Sequence, residues 1–408
     1  MRKYDSFYLI FRSFEGFGEL FQKLSIPLTL RRTTTIEYII NILTTIVVTI
    51  LVIGFIVTIH ELGHFIAARA FRVTVKEFAI GMGPKIFQKQ SYKTGIKYSL
   101  RLLPLGGYVT MAGDDEDNND VNAYNRKPVW QRIIIITAGA VMNLLLAALI
   151  MLAIVSTQSN FRGMTIERFH DDSVSQLSGL RVDDTIISVD GQRIRIFSEL
   201  NYAVNRRGTS TVEVLVLRDG EELPPLNVNF ALVTSDGRSL IRNEYGYIGI
   251  YEDDEFVVIG SDVLVFGRID FTTNTIPRSV FTVVNQAYRQ TLLMTRAFLE
   301  SMGDLVSGRA GFDQISGPVG IGEAVGSSMR AGARNLFLLG AMLSFSIGMF
   351  NLIPFPALDG GRVVFLLLEL ARRKPIKPEI ESMIHFAGIV ALFIFMIIVI
   401  IADFGRLF

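Results

Sequence analysis

Residues 42–69 read ILTTIVVTILVIGFIVTIHELGHFIAAR. The chain is apolar from Ile36 to about Ala68, longer than the roughly 20 residues a helix needs to cross a bilayer. Near its C-terminal end the run changes character. His60 and His64 are one helical turn apart, so both imidazoles lie on one face. That spacing suits two ligands of a tetrahedral zinc. Glu61, next to His60, can reach a water there and act as general base. The pattern HExxH arises by chance in many chains. Inside an apolar span it carries more weight, because a charged or strongly polar side chain there costs roughly 2.5–3.5 kcal/mol on insertion scales. The bland alternative is a set of polar residues hydrogen-bonding to other spans.

Three further apolar runs follow: Ile133 to about Val155, opened by the interfacial pair Trp130 and Arg132; about Leu336 to Phe355, which breaks and resumes from Val363 to Leu370; and Ile384 to Ile401. They predict a polytopic α-helical membrane protein with about four transmembrane helices in contact with the lipid bilayer. Of 408 residues 50% are hydrophobic, too many for an ordinary soluble enzyme, and the net charge of +1 comes with no basic arm or stripe, which argues against a nucleic-acid partner. There is no cysteine, so a metal must be held by His, Asp or Glu.

A zinc site needs a third protein ligand. His170 sits beside Asp171 and Asp172 in a soluble stretch and reads as a surface residue; His385 opens the fourth span and reads as a helix-end histidine, with ligation as the alternative. Asp359, in NLIPFPALDGGR (351–362), is the better candidate. Pro354 and Pro356 break the third span, and irregular backbone at membrane depth survives only inside protein or beside a water-filled cavity. A carboxylate there needs a partner, which zinc would supply; helix capping is the alternative. Asn143 reads as an interhelical hydrogen-bonding amide beside Gly139 and Ala140, which permit close helix contact. Asn351 reads as a substrate or oxyanion contact.

Between the first two spans lies a Gly-rich, strand-like loop whose segments 73–80 and 96–103 are candidate edge strands for clamping an extended peptide. The stretch 158–332 begins as a small β-rich domain. TSTVEVLVLRDGEEL (209–223) predicts a hairpin at Asp-Gly, and 280–306 has the periodicity of an amphipathic helix packing on the domain or the membrane surface, in Phe281, Val284, Tyr288, Leu292, Thr295 and Leu299. Residues 1–35 read as an extension, possible as an amphipathic interfacial helix, with no signal-peptide pattern. Basic residues crowd the first loop (Arg69 to Arg101) and the link at Arg372, Arg373, Lys374 and Lys377, which the positive-inside rule makes cytoplasmic.

With HELGH at 60–64 and NLIPFPALDGGR at 351–362, together with FAIGMGPKIF, LPLGGYV and GPVGIGEAV, the chain resembles the bacterial site-2 proteases over about 36–405. The resemblance implies regulated intramembrane proteolysis by a zinc metalloendopeptidase of the bacterial inner membrane. His60, His64 and Asp359 would bind Zn2+, Glu61 would be the catalytic base, and Asn351, Pro354 and Pro356 would contact substrate. It implies membrane-anchored protein substrates, such as trimmed anti-sigma factors or remnant signal peptides. The expected organisation is an extension (1–35), a first transmembrane helix (36–68), a cytoplasmic β-hairpin loop (69–129) and a second helix (130–157). An extracytoplasmic PDZ-like α+β domain (158–235), a post-PDZ region (236–332), a broken third helix (333–371), and a link with the fourth helix (372–408) complete it. A multi-span transporter and a non-catalytic PDZ membrane adaptor are the competing classes.

Overall fold

The computed structural model describes residues 35–114, 120–171, 173–207, 210–234, 238–242, 248–252, 255–258, 265–309 and 316–407; the expectation for residues 1–34 and most of the acidic stretch 114–120 lie outside them. The described chain forms two compact units, 33–150 with 316–408, and 151–315.

The first unit holds α1 (Thr35–Ala70), β1 (Val75–Gln90), β2 (Lys97–Met111) and most of α2 (Val129–Ser156). Four helices among the described residues are long and apolar enough to cross a membrane: Ile39–Ala70, Val129–Ser156, Ala333–Leu352 and Glu379–Asp403. Their outward faces, for example Leu51, Phe55, Leu149 and Ile397, are exposed apolar surface that lipid can solvate. Where helices meet, small residues allow close approach. A side chain at Gly63 would collide with the Ala138 carbonyl, 2.3 Å from where its Cβ would sit.

β1 and β2 do more than pair as one hairpin. Residues 77–80 pair with 107–110 on one side and with 97–100 on the other, while 85–90 pair with 97–101. Gly81 and Gly83, both at positive φ, let the first strand fold back on itself. Segments 73–80 and 96–103, expected as edges, are therefore largely internal. The edge nearest α1 is 107–111. A Cβ on Gly107 would lie 3.4 Å from Glu61 Cγ.

The second unit opens with β3 (Asn160–Phe169), β4 (Thr185–Val189), β5 (Gln192–Arg193), α3 (Phe197–Arg207), β6 (Val212–Arg218), β7 (Glu221–Glu222) and β8 (Leu226–Val228). A small second sheet follows: β9 (Ala231–Thr234), β10 (Ser239–Arg242), β11 (Ile248–Glu252), β12 (Glu255–Val258) and β13 (Val265–Arg268). The chain then returns to the first sheet through β14 (Phe271–Pro277), which pairs with β3, so that sheet runs β14-β3-β4-β6-β7 with β5 on β4 and β8 on β6. Its alternating inward residues, among them Ile166, Ile186, Val214 and Val216, pack with Leu200 and Val204 of α3 into one core. The Asp219-Gly220 turn has both residues at positive φ, as a two-residue hairpin requires, and it sets Leu217 opposite Glu222.

The second unit ends with α4 (Val280–Val306), started by a capping box of Ser279 and Thr282. Its buried face is Val283, Ala287, Leu293, Met294, Ala297 and Phe298. Of the predicted stripe, Phe281, Val284, Tyr288, Leu292 and Leu299 are exposed and Thr295 is half-buried, so of the two surfaces expected for it the domain is not the one it packs on. Side chains one position away along the helix took the inner face.

The first unit resumes with α5 (Pro318–Ala331), whose N-terminal amides at Gly317 and Gly320 donate to the Asp403 carboxylate at 3.2 and 3.1 Å. Then come α6 (Ala333–Leu352), α7 (Asp359–Arg372) and α8 (Pro378–Leu407). The third apolar run is thus one spanning helix followed by a separate helix of 14 residues, too short to cross a bilayer. The two prolines remove amide donors between them, and the helix restarts at Asp359. α5 is an additional helix, in a segment read from sequence only as a family motif.

Candidate metal centre

α1 and α7 bring three ligand-type side chains together. His60, His64 and Asp359 offer atoms that all lie within 4.8 Å of one another. Asp359 Oδ2 is 3.0 Å from His60 Nε2 and 3.4 Å from His64 Nε2, and the two nitrogens are 3.1 Å apart. Ligand atoms about 2.0–2.2 Å from a tetrahedral zinc stand about 3.3–3.6 Å from each other, so this triangle is close to the size a zinc requires. Asp359 Oδ2 is buried and makes no well-aligned hydrogen bond, which leaves it with the two imidazole nitrogens as neighbours. The set fits zinc in donor type, number and spacing.

Each ligand is placed by local structure. His60 and His64 are brought together by the helical turn, their rings meeting edge to face with centroids 4.8 Å apart. His64 Nδ1 donates to the Ile135 carbonyl of α2 at 2.9 Å, which leaves Nε2 with the lone pair a metal needs. His60 Nδ1 lies 3.4 Å from the carboxamide of Asn143. Asp359 opens α7, below a backbone turn in which Phe355 N–H donates to the Ile353 carbonyl and Ala357 holds φ 78°. Gly360 and Gly361 fit beneath that turn only because they lack side chains; a Cβ at Gly360 would lie 2.2 Å from the Ile353 carbonyl oxygen.

Glu61 adjoins the three on α1, and the main-chain N–H of Val109 approaches its carboxylate from the 107–111 edge. Asn351 ends α6 with its amide nitrogen donating to the Ile347 carbonyl at 2.9 Å. Pro354 is exposed and Pro356 half-buried. His385 is not in the cluster. Its Nδ1 accepts the Ala357 N–H at 3.0 Å, so it braces the turn before Asp359 from α8. His170 lies in the second unit and belongs to no ligand group among the described residues.

The sequence marks Gly139 as a point of close helix contact but not as part of this site. A Cβ there would sit 2.4 Å from His64 Nε2 and 2.7 Å from His60 Nε2, so this glycine leaves the space in which the ligand atoms converge. Its small size was visible in TAGAVMN, but the element it faces was not.

Spanning helices with two histidines and an aspartate converging between them define a polytopic membrane metalloprotein. The profile of Peptidase family M50 matches residues 48–395. The regulator of sigma-W protease RasP of Bacillus subtilis is 29% identical, the alignment covering 89% of this chain and 99% of that one. The zinc metalloprotease RasP of Oceanobacillus iheyensis is also 29% identical, over 90% of this chain and 100% of its own length. The chain belongs to peptidase family M50, the site-2-type proteases, and is a membrane metalloendopeptidase with zinc as its cofactor.

Proposed function

We propose that the protein cleaves peptide bonds within transmembrane segments of membrane-anchored proteins, with His60, His64 and Asp359 holding the zinc and Glu61 as general base. The observation that carries the reading is the convergence of those three ligand atoms, with Glu61 beside them, where a helix long and apolar enough to cross a membrane meets the start of a short one. Zinc, when bound, supplies Lewis acidity toward water and a peptide carbonyl. Glu61 takes a proton from the attacking water and delivers it to the leaving amide nitrogen. Asn351 retains a second amide hydrogen for the developing oxyanion or a substrate carbonyl, and Pro354 and Pro356 hold the chain open beside it.

A substrate helix hides its carbonyls in its own hydrogen bonds and must be extended before attack. The 107–111 strand offers an edge beside Glu61 onto which an extended peptide can add. The small sheet-and-helix fold of 160–228 with 271–277 supports a PDZ-like domain, placed outside the cell by the basic loops on the opposite face. There it would exclude substrates whose external portion is untrimmed. The RasP name of a relative, regulator of sigma-W protease, supports anti-sigma factors as one substrate class.

Glu61→Gln is the decisive variant. Full-length protein carrying it should keep stoichiometric zinc and leave a membrane-anchored reporter uncleaved in cells, a loss of at least about a hundredfold for a general base. Unchanged cleavage would remove Glu61 from the mechanism; an adaptor would have no need of Glu61, and the zinc content of the purified protein separates the protease from a transporter.

A further inference from the structure

Asn143 is fully buried on α2, a helix otherwise almost wholly apolar. Its main-chain oxygen accepts from Ser344 Oγ at 2.9 Å, which ties α2 to α6. Its side chain does something different, because the carboxamide lies against His60 Nδ1 at 3.4 Å. As placed, the amide nitrogen faces the ring, and the amide oxygen is buried without a partner. A carboxamide keeps its shape when turned by 180°. A histidine that offers Nε2 to a metal carries its proton on Nδ1. An amide nitrogen would then oppose donor to donor while the oxygen stayed orphaned. Turning the amide removes the donor–donor opposition and gives the oxygen a partner, since Oδ1 then accepts from Nδ1–H while the NH2 group takes the oxygen's former place.

We infer that Asn143 is a positioning residue for the metal centre: its side-chain oxygen accepts the Nδ1 proton of His60 and holds that ring with Nε2 directed at Asp359 and His64. The residue spacing on α2 supports the assignment. Ile135, Gly139 and Asn143 follow at intervals of four and so share one helix face. Ile135 holds His64 through its carbonyl, Gly139 leaves room for the two Nε2 atoms, and Asn143 holds His60. One face of a helix that supplies no ligand orients both imidazoles. Outer partners of this kind are commonly worth ten- to a hundredfold in metal affinity.

The inference rests on the assignment of His60, His64 and Asp359 as ligands, and the test separates the two. Zinc affinity is measured by competition with a chromophoric chelator on the full chain in detergent, alongside the Tm of the zinc-free protein. Asn143→Leu keeps the shape without polar atoms and is expected to weaken zinc about ten- to a hundredfold. Asn143→Asp keeps an acceptor for Nδ1–H and is expected to stay within about threefold of the unsubstituted protein, a rescue that a packing role does not produce. If the leucine variant does not fold, Asn143→Ala takes its place in the same comparison. Equal zinc affinity with and without the amide, or an aspartate variant as weak as the leucine one, would overturn the inference. His60→Ala is the control. Loss of zinc there with no effect at Asn143 sinks the positioning role alone, whereas full zinc in His60→Ala sinks the ligand assignment.

Discussion

At the scale of single residues, the centre depends as much on an absent side chain as on those present. A methyl group on Gly139 would fall 2.4 Å from His64 Nε2 and 2.7 Å from His60 Nε2, on ring atoms that cannot bend away without leaving the ligand triangle. Gly139→Ala is therefore expected to lower both zinc affinity and reporter cleavage about a hundredfold, the scale of loss from misplacing reactive groups by about an ångström. Gly322→Ala is the matched control. It also lies within a helix, but nothing stands within 4 Å of its would-be Cβ. There alanine should be neutral or stabilising by up to about 1 kcal/mol. Zinc titration and a thermal melt on both variants check the pair; equal behaviour would show that Gly139 is only a packing position. The histidines were legible in the sequence because helical geometry alone sets them on one face. Asp359 was legible because two prolines and two glycines mark a break that must be compensated. Asn143 was legible as an interhelical amide and Gly139 as a point of close helix contact, but not that the histidines are what they meet, because a residue's neighbour on another helix is decided by tertiary packing, which no local periodicity encodes.

At the scale of elements, the same distinction explains where expectation and structure part. The span boundaries followed from hydropathy, and the Asp219-Gly220 hairpin from turn chemistry. The clamp segment did not. Strand character in 73–80 and 96–103 says nothing of which edge stays open once β1 folds back at Gly81 and Gly83. On α4 the two faces differ less in hydrophobicity than in what they meet. The inner face carries Ser301 and Asp304 as well as apolar residues, and α3 supplies the cation for Asp304. Arg206 pairs with Asp304 at 2.6 Å and with Glu300 at 3.0 Å, and Tyr202 donates to Glu300 at 2.7 Å. Burial alone would raise the Glu300 carboxyl, but Arg296, Tyr202 and Arg206 outweigh it and hold it below the usual carboxylate range. Burial and then Glu300 push the Tyr202 phenol up. A carboxylate whose folded value lies below its unfolded one contributes fully above the unfolded value, about pH 4.3, and loses that contribution as pH falls through the folded one. Acidification from about pH 5 to 3 should thus loosen the α3–α4 seam. Hydrogen exchange in peptides 197–207 and 290–306 reads this directly. Glu300→Gln should flatten the pH response, and Arg206→Ala should cost only about 1–2 kcal/mol, because Glu300 keeps Arg296 at 2.8 Å and Asp304 keeps Arg309 at 3.4 Å. A seam indifferent to acid would mean that these pairs add nothing to it.

At the scale of the whole molecule, the shortness of α7 carries a consequence for topology. Its 14 residues cannot cross a bilayer, which leaves α1, α2, α6 and α8 as the candidate crossings among the described residues. With four crossings at those helices, the loop holding β1 and β2 and the link at 373–377 would share one face, as the positive-inside rule favours. Had the run after Asp359 crossed as well, the two basic segments would lie on opposite faces, and the positive-inside rule would be split between them. Because the chain has no cysteine, single introduced cysteines report their side without background. Tyr92 and Leu177 are highly exposed, and Lys374 is exposed in the link. In intact cells, a membrane-impermeant maleimide should label Leu177→Cys from outside. It should label Tyr92→Cys and Lys374→Cys only after the membrane is opened. Joint protection of Tyr92→Cys and Lys374→Cys tests the parity, and external labelling of Leu177→Cys tests the orientation. Labelling of Lys374→Cys together with Leu177→Cys would mean that the α7 segment crosses after all. Asp359 would then sit within a membrane-crossing helix rather than at the start of a short one.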